Sequence, residues 1–241
     1  MAKERLDKVL SNMGYGTRKE VKLIARSGEV TVNGVIVKDS ATHVNPYKDE
    51  IVISGEIVIY KEFVYIMMHK PPGVISATED KNCETVIDIL EHEDAVFKPA
   101  PVGRLDKDTE GLLLITNDGE LNHKLLSPKN HVPKKYYADI EGVVTNEDIE
   151  AFETGVVLDG GYETMPAKLT IIESSDISKI EIIIYEGKFH QIKRMFESVG
   201  KTVLYLKRLE MGPLVLDPDL GIGEYRELTD DELESLFKYT R

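Results

Sequence analysis

Residues 103–121 read GRLDKDTEGLLLITNDGEL, and the larger part of the chain is organised around them. The first half of this stretch crowds three carboxylates against one arginine, and the second half is mostly apolar. The apolar run predicts a buried β-strand at 112–117, and the residues after it predict a helix near 118–126. The loop before the strand therefore holds acidic groups and a cation on a defined scaffold, which is typical of a functional loop.

Similar patterns continue on both sides of this stretch. Further strands are predicted at 63–68, 135–142 and 180–185. Further helices are predicted near 84–91, 146–153, 190–199 and 230–238. Helices and β-runs separated by long loops indicate an α+β fold with a mostly antiparallel sheet.

The first 45 residues predict a smaller unit of two helices and a hairpin. Apolar side chains recur at helical spacing between Leu6 and Met13. A capping box formed by Thr17 and Glu20 opens a second helix, which ends before Gly28. Asn33-Gly34 separates two valine-rich runs, which is the strongest short-range signal for a type I′ hairpin.

The second helix carries Arg18, Lys22 and Arg26 at intervals of four residues, so the three cations form one basic ridge. The whole chain has a net charge of −13, yet residues 1–45 hold eight bases and five acids. Such a ridge can bind a polyanion while the acidic remainder repels it. A solvated helix face is the alternative interpretation. We place the domain boundary near residue 60, which divides the chain into domains 1–60 and 61–241.

Several classes of protein are not supported by the sequence. One cysteine, Cys83, excludes an internal disulfide framework, and the six histidines have no metal-ligand spacing, so we expect no metal site. The apolar runs are far shorter than the roughly 18 residues that a membrane span needs, and the N-terminus lacks a secretory core. We therefore expect a cytoplasmic protein. P-loop, dinucleotide-binding and α/β-hydrolase motifs are absent as well.

The motifs of the chain, taken together, resemble those of the RNA pseudouridine synthases. Gly103-Arg104-Leu105-Asp106 resembles their catalytic motif, and it stands in the family's order between Lys70-Pro-Pro-Gly and Lys134-Lys135-Tyr136. The stretch EGKFHQIK follows at 186–193, and residues 211–229 complete the set. The N-terminal segment resembles the S4 RNA-binding module, which reads RNA shape more than sequence. The likeness spans roughly residues 1–235, and HQIKRMF at 190–196 is most similar to the small-subunit, RsuA-like branch.

The resemblance implies a role for individual residues of this chain. The implied catalytic residues are Asp106, Tyr136 and Lys193. Asp106 is the catalytic aspartate, Tyr136 stacks on an everted uracil and assists removal of the proton from its C5, and Lys193 is the cation that pairs with the aspartate. Ile192 provides the apolar floor, and Arg104 holds the phosphates of the extruded nucleotide. The implied substrate-binding set comprises Arg104, Ile192, Lys70, Arg18, Lys22 and Arg26. Whether Asp106 attacks the ribose or removes a proton from it stays open.

The physical chemistry agrees with these roles. An aspartate with a pKa of about 3.9 is ionised at neutral pH, whereas burial raises the pKa of a carboxyl by up to about 3–5. A neighbouring cation is needed to offset that effect, and Lys193 and Arg104 are the candidates. A uridine must leave its stack to react, and stacking on an aromatic side chain returns about 1–3 kcal/mol.

The resemblance implies the isomerisation of a uridine in 16S ribosomal RNA, with no cofactor and no metal. The expected partner is 16S ribosomal RNA or a 30S assembly intermediate, and the expected oligomeric state is a monomer. Three alternatives stay open: a synthase acting on 23S ribosomal RNA, an S4-type assembly factor without catalysis, and a glycosidase that uses Asp108 and Glu110 as paired carboxylates.

Overall fold

The computed structural model describes residues 3–240, and this part of the chain divides into two compact units. One unit comprises the described residues up to Val64 together with Leu90–Pro99. The other comprises Tyr65–Ile89 and the described residues from Ala100 onward. Residues 90–99, which the sequence analysis assigned to the second domain, thus belong with the first unit.

The first unit contains three helices and six short strands within its described residues. Their bounds are β1 Glu4–Arg5, α1 Leu6–Asn12, α2 Arg18–Ser27, β2 Val30–Val32, β3 Val35–Ile36, β4 His43–Val44, β5 Ile51–Ile53, β6 Glu56–Ile57 and α3 His92–Ala95. Strands β1 and β4 form an antiparallel pair, and the order β3-β2-β5-β6 forms a four-stranded antiparallel sheet.

The local signals of this unit are confirmed. Leu6, the first helical residue of α1, is fully buried in a core with the other apolar residues of that face. Both hydrogen bonds of the predicted capping box at Thr17 form, and Gly28 ends α2 in the left-handed region. Asn33 and Gly34 both have positive φ, 51° and 76°, as a type I′ turn requires.

The second unit is built on a nine-stranded sheet. Its elements are β7 Tyr65–Lys70, β8 Ala100–Pro101, β9 Glu110–Thr116, α4 Gly119–Leu126, β10 Lys134–Glu141, α5 Asn146–Thr154, β11 Lys168–Glu173, β12 Ile177–Ile184, α6 Gln191–Ser198, β13 Thr202–Met211, β14 Leu214–Val215, β15 Tyr225–Glu227 and α7 Asp230–Tyr239. The main order is β11-β12-β10-β13-β9-β7-β15, with β8 on β9 and β14 on β13. All these pairs are antiparallel except β9 with β13, so the predicted α+β class is confirmed.

The parallel contact between β9 and β13 needs a glycine. Gly111 lies opposite Arg208, and a Cβ atom at position 111 would be only 2.2 Å from the Arg208 carbonyl oxygen. Its φ of +107° also suits glycine. The end of the charged loop at 103–110 is therefore held directly against β13.

The helix predicted near 84–91 is wrong. Ile75 forms a parallel bridge with Thr85, in which the Ile75 amide donates to Glu84 O and the Val86 amide donates to Ile75 O. Thr85 and Asp88 cap one another, but they enclose a single turn. This bridge occupies the Glu84 carbonyl and the Val86 amide, which a helix would need for its own hydrogen bonds. No helix among residues 3–240 has the length and apolar character to cross a membrane.

Candidate active site

The second unit contains a cavity of about 1060 Å³. Its lining includes the charged loop at 103–109, the face of the sheet formed by β10 and β13, and the segment at 184–192 that leads into α6. Because a large cavity of this size suits a small-molecule or nucleotide-sized ligand, it is the natural place to look for the predicted site residues.

The charged loop is fixed by hydrogen bonds to its backbone. The Ser76 hydroxyl accepts from the Leu105 amide at 3.0 Å and donates to the Leu105 carbonyl at 3.1 Å. The Thr109 amide donates to the Asp106 carbonyl, and the Gly73 amide donates to the Lys107 carbonyl. Asp106 therefore lies on a loop whose neighbouring backbone groups are held in one conformation.

Lys70 belongs to this support and not to the ligand surface. Its ammonium is fully buried and donates to the carbonyl oxygens of Pro71 and Thr109, each at 2.9 Å, and to that of Lys107 at 3.4 Å. Burial lowers the pKa of Lys70 to about 8 despite the nearby carboxylates, Asp108 foremost. Lys70 is absent from the cavity lining, so its predicted role in direct substrate binding is wrong. Three carbonyls already occupy the donors of its ammonium.

The Asp106 carboxylate lies at the cavity wall with two cationic or potentially cationic neighbours. Its side chain is 26% exposed. Lys193 Nζ lies 3.6 Å from Oδ2, and His190 Nε2 lies 3.8 Å from Oδ1. The carboxylate therefore faces Lys193 on one oxygen and His190 on the other.

Lys193 contacts a second carboxylate more closely than it contacts Asp106. Its ammonium donates to both oxygens of Asp108, at 2.6 and 2.7 Å. Burial raises the pKa of Asp108, but the hydrogen bond and charge of Lys193 outweigh burial and hold that pKa below its usual value. Asp108 thus anchors the ammonium that faces Asp106, a positioning role that the sequence analysis did not assign.

Tyr136 and Ile192 contribute the apolar part of the cavity. Tyr136, on β10, is 6% exposed and lies opposite Ile182 of β12 and Arg208 of β13. Ile192, in the first turn of α6, is buried and lines the cavity as well. An aromatic ring and an aliphatic side chain on the lining of one cavity can enclose a flat base.

Two buried cations, Lys134 and Arg208, also line the cavity. Lys134 donates to the Val132 carbonyl at 2.9 Å, and burial, together with the charge of Arg208, lowers the pKa of Lys134 to about 8. The sequence places Lys134 in the motif Lys134-Lys135-Tyr136, but Lys134 was not among the predicted site residues. The strand alternation of β10, which places Lys134 on the face of Tyr136, was the signal that could have found it.

The rim of the cavity carries an exposed aromatic side chain. Phe189 is 70% exposed and stacks on the ring of His190, with centroids 3.8 Å apart and planes inclined by 17°. His190 has a φ of +49° immediately before α6, and this conformation turns the chain into the helix. Arg104 is exposed and lines the same cavity. Neither Phe189 nor His190 was among the predicted site residues.

The remaining predicted residues lie elsewhere. Arg18, Lys22 and Arg26 are exposed on α2 of the first unit. The glycosidase pair is not assembled, because Asp108 bonds to Lys193 whereas Glu110 accepts from the Tyr205 hydroxyl at 2.8 Å and does not line the cavity. Within residues 3–240, no group of three His, Cys, Asp or Glu side chains is arranged to hold a metal ion.

Comparison with known proteins identifies related chains for both units. A family model described as RNA pseudouridylate synthase matches residues 64–198, and an S4 domain model matches residues 4–50. An uncharacterised RNA pseudouridine synthase of Bacillus subtilis (strain 168) is 54% identical over 233 residues, which are 96% of this chain and 98% of the relative.

Two further relatives differ in the ribosomal subunit that their names give. A ribosomal small subunit pseudouridine synthase A of Vibrio cholerae is 39% identical, covering 97% of this chain and 100% of the relative. A ribosomal large subunit pseudouridine synthase B of Bacillus subtilis is also 39% identical, covering 97% and 95%. A crystal structure of a pseudouridylate synthase superposes with a TM-score of 0.68 at 35% identity, covering 96% of this chain and 99% of the other.

Proposed function

The chain belongs to the RNA pseudouridylate synthase family, and on that premise we propose that it isomerises one uridine of 16S ribosomal RNA with Asp106 as the catalytic residue. The observation that carries the proposal is the position of Asp106: its carboxylate lies at the wall of the cavity, 3.6 Å from Lys193 Nζ. The cavity is bounded elsewhere by Tyr136 and Ile192.

The proposed reaction uses these groups in sequence. A uridine leaves its stack and enters the cavity, where its base packs against Tyr136. The ionised Asp106 acts on the ribose, the bond between C1′ and N1 breaks, and the base rotates and rejoins through C5. Lys193 lies beside the Asp106 carboxylate, and Asp108 holds Lys193 in place. The substrate and product have the same atoms, so the reaction consumes no cofactor.

The choice of 16S ribosomal RNA rests on the motif HQIKRMF at 190–196, which is similar to the small-subunit branch. Overall identity does not favour either subunit, because the two relatives named for different subunits are equally similar to this chain. We propose that Arg18, Lys22 and Arg26 of the S4 domain contact the RNA backbone, and that the substrate is 16S RNA or a 30S assembly intermediate in the cytoplasm. We propose that the protein acts as a monomer, since one chain supplies every group named.

The test is the release of tritium from RNA labelled at uracil C5. The wild-type chain is expected to release the label from a 16S transcript, and Asp106→Asn is expected to release none while it binds that RNA normally. Asp176→Asn, in the exposed turn between β11 and β12, is the matched control and is expected to behave as wild type. Label release by Asp106→Asn at the wild-type rate would refute the assigned role.

A parallel incubation with a 23S transcript tests the substrate. Mapping of pseudouridine in both RNAs is expected to find the product in the 16S molecule. Product in 23S RNA alone would support the proposed reaction and refute the assignment of 16S RNA as the substrate.

A further inference from the structure

Lys134 and Arg208 are buried cations that lack an acidic partner among the residues that the structure describes. The residues are 9% and 2% exposed, and neither forms an ion pair with a carboxylate among residues 3–240. Lys134 has one carbonyl partner, Val132. Arg208 donates from Nε to the Leu112 carbonyl at 2.7 Å, and its buried Nη2 atom has no partner within the described chain.

This arrangement is costly for the protein in the absence of substrate. A buried charge loses several kcal/mol of solvation, and a neighbouring opposite charge normally offsets that loss. Here the charge that acts on Lys134 is that of Arg208, which has the same sign. Two like charges on the β10 and β13 face make that part of the cavity favourable for an anion or for electronegative oxygen atoms.

The register of the sheet places both cations beside the ring that is proposed to carry the base. Arg208 lies directly opposite Tyr136 on the neighbouring strand, and Lys134 lies two residues before Tyr136 on the same strand. Opposed residues of an antiparallel pair have Cβ atoms about 4.5–5.5 Å apart, and residues i and i+2 share a face about 7 Å apart. A base packed on Tyr136 thus presents its edge within reach of both side chains.

The proposed reaction creates a negative charge on that base. When the C1′–N1 bond breaks, its electron pair stays with the base, and the charge spreads over N1 and the carbonyl oxygens O2 and O4. After rotation, C5 supplies an electron pair to C1′, the hydrogen on C5 leaves as a proton, and N1 gains a proton. The uracil anion is the leaving group of the first step, and no atoms are gained or lost overall.

We propose that Lys134 and Arg208 bind the carbonyl oxygens of the everted uracil and neutralise the negative charge that develops on it as its bond to the ribose breaks. This inference rests on the proposed function. Preorganised donors act strongly on a charge that forms during a reaction in a site from which water is excluded, and the loss of one such donor costs about 10²–10³-fold in rate.

The test compares Lys134→Met with Lys135→Met. Lys135 is the adjacent lysine on the opposite face of β10, where it pairs with Glu181 at 2.9 Å and Glu210 at 3.5 Å, so its loss removes a charge outside the cavity. Single-turnover release of the C5 label is expected to fall about 10²-fold for Lys134→Met, with RNA affinity little changed. Lys135→Met is expected to react as wild type, and Lys134→Arg is expected to recover most of the rate.

A second measurement separates leaving-group stabilisation from a structural defect. 5-Fluorouracil is a better leaving anion than uracil, so it needs less help from a cation. The Lys134→Met defect is therefore expected to be at least about tenfold smaller on RNA containing 5-fluorouridine, followed as loss of the N-glycosidic nucleoside after nuclease digestion.

The two proposals fail in different ways. Equal defects on both RNAs, or wild-type label release by Lys134→Met, overturn the role of the cations while the synthase activity stands. A wild-type chain that converts no uridine in either ribosomal RNA overturns the proposed function, and the role of the cations with it.

Discussion

Replacing Lys134 by methionine is expected to make the protein more stable at neutral pH. The Lys134 ammonium is buried beside Arg208, and burial lowers the pKa of Lys134 from 10.5 to about 8. At pH 7 the lysine is therefore charged in the folded protein at a cost, whereas in the unfolded chain water solvates the same charge freely. Methionine has a similar length and carries no charge, so it removes this cost.

The structure sets the size of the effect. Because one pKa unit corresponds to about 1.4 kcal/mol, the lowered pKa amounts to a penalty of about 3 kcal/mol on the folded state at pH 7. The variant also loses the hydrogen bond from Lys134 to the Val132 carbonyl, which costs about 1 kcal/mol. The net gain in the free energy of unfolding is expected to be about 2 kcal/mol.

The sign of the pH dependence follows from the same values. The pKa of Lys134 is lower in the folded protein than in the unfolded chain, so the unfolded chain binds more protons between pH 8 and 10.5. The wild type gains stability as the pH rises through this window, and the remaining penalty at pH 10 is about 1 kcal/mol. The advantage of the variant is therefore expected to disappear near pH 10.

Urea unfolding at pH 7 and pH 10, followed by circular dichroism, measures the difference. The two units can unfold in separate transitions, so the comparison uses the transition of the unit that contains the nine-stranded sheet. Lys135→Met is the control, and because Lys135 pairs with carboxylates it is expected to lose stability slightly. A Lys134→Met variant that is less stable than wild type at pH 7, or a gap that does not change with pH, would refute the reasoning.

Three further outcomes are expected. Tyr136→Phe keeps the ring and is expected to bind RNA normally, with C5 label release reduced about 10²-fold or more if its hydroxyl takes the C5 proton; a full rate shows that it does not. Phe189→Ala removes the exposed ring at the rim of the cavity. It is expected to raise KM about 5–150-fold with kcat unchanged, since one stacked base contributes about 1–3 kcal/mol. An unchanged KM would show that the ring does not contact RNA. Replacing Arg18, Lys22 and Arg26 together by glutamine is expected to reduce the slope of log K for RNA binding against log salt concentration by about 2, which is near 0.7 for each phosphate contact. An unchanged slope in titrations from low to high salt would show that these residues do not contact the RNA.

The parts of the fold that the sequence predicts well are those that depend on near neighbours in the chain. The capping box at Thr17 and the Asn33-Gly34 turn involve residues within one turn of one another, so the local pattern suffices. The false helix near 84–91 shows the limit of such patterns. Thr85 and Asp88 in this segment do cap each other, but the bridge to Ile75 prevents the helix from forming. No pattern among neighbouring residues predicts that bridge.

The candidate site divides in the same way. Asp106 and Tyr136 are predictable because they belong to motifs with fixed order, and the structure brings both to the lining of one cavity. Burial is a property of the tertiary structure and is not visible in a motif. The sequence therefore predicted Lys70 as a substrate-binding cation, whereas in the fold Lys70 is buried and holds the loop backbone. The sequence does not predict Arg208 as a site residue, because the pairing of β13 with β10 is what brings it to the cavity.

The cations around the cavity differ in what they pair with, and this difference separates two kinds of contribution to the reaction. Lys193 is already paired with the Asp108 carboxylate, so its charge is largely balanced before substrate binds, and its contribution is to position Asp106. Lys134 and Arg208 have no such partner between residues 3 and 240, so they gain their full interaction only when negative charge appears on the base. An interaction that strengthens between bound substrate and transition state accelerates the reaction, whereas one of constant strength only tightens binding. The same Lys134→Met substitution is therefore expected to raise stability and lower rate, a combination that neither a purely structural nor a purely RNA-binding role for this lysine produces.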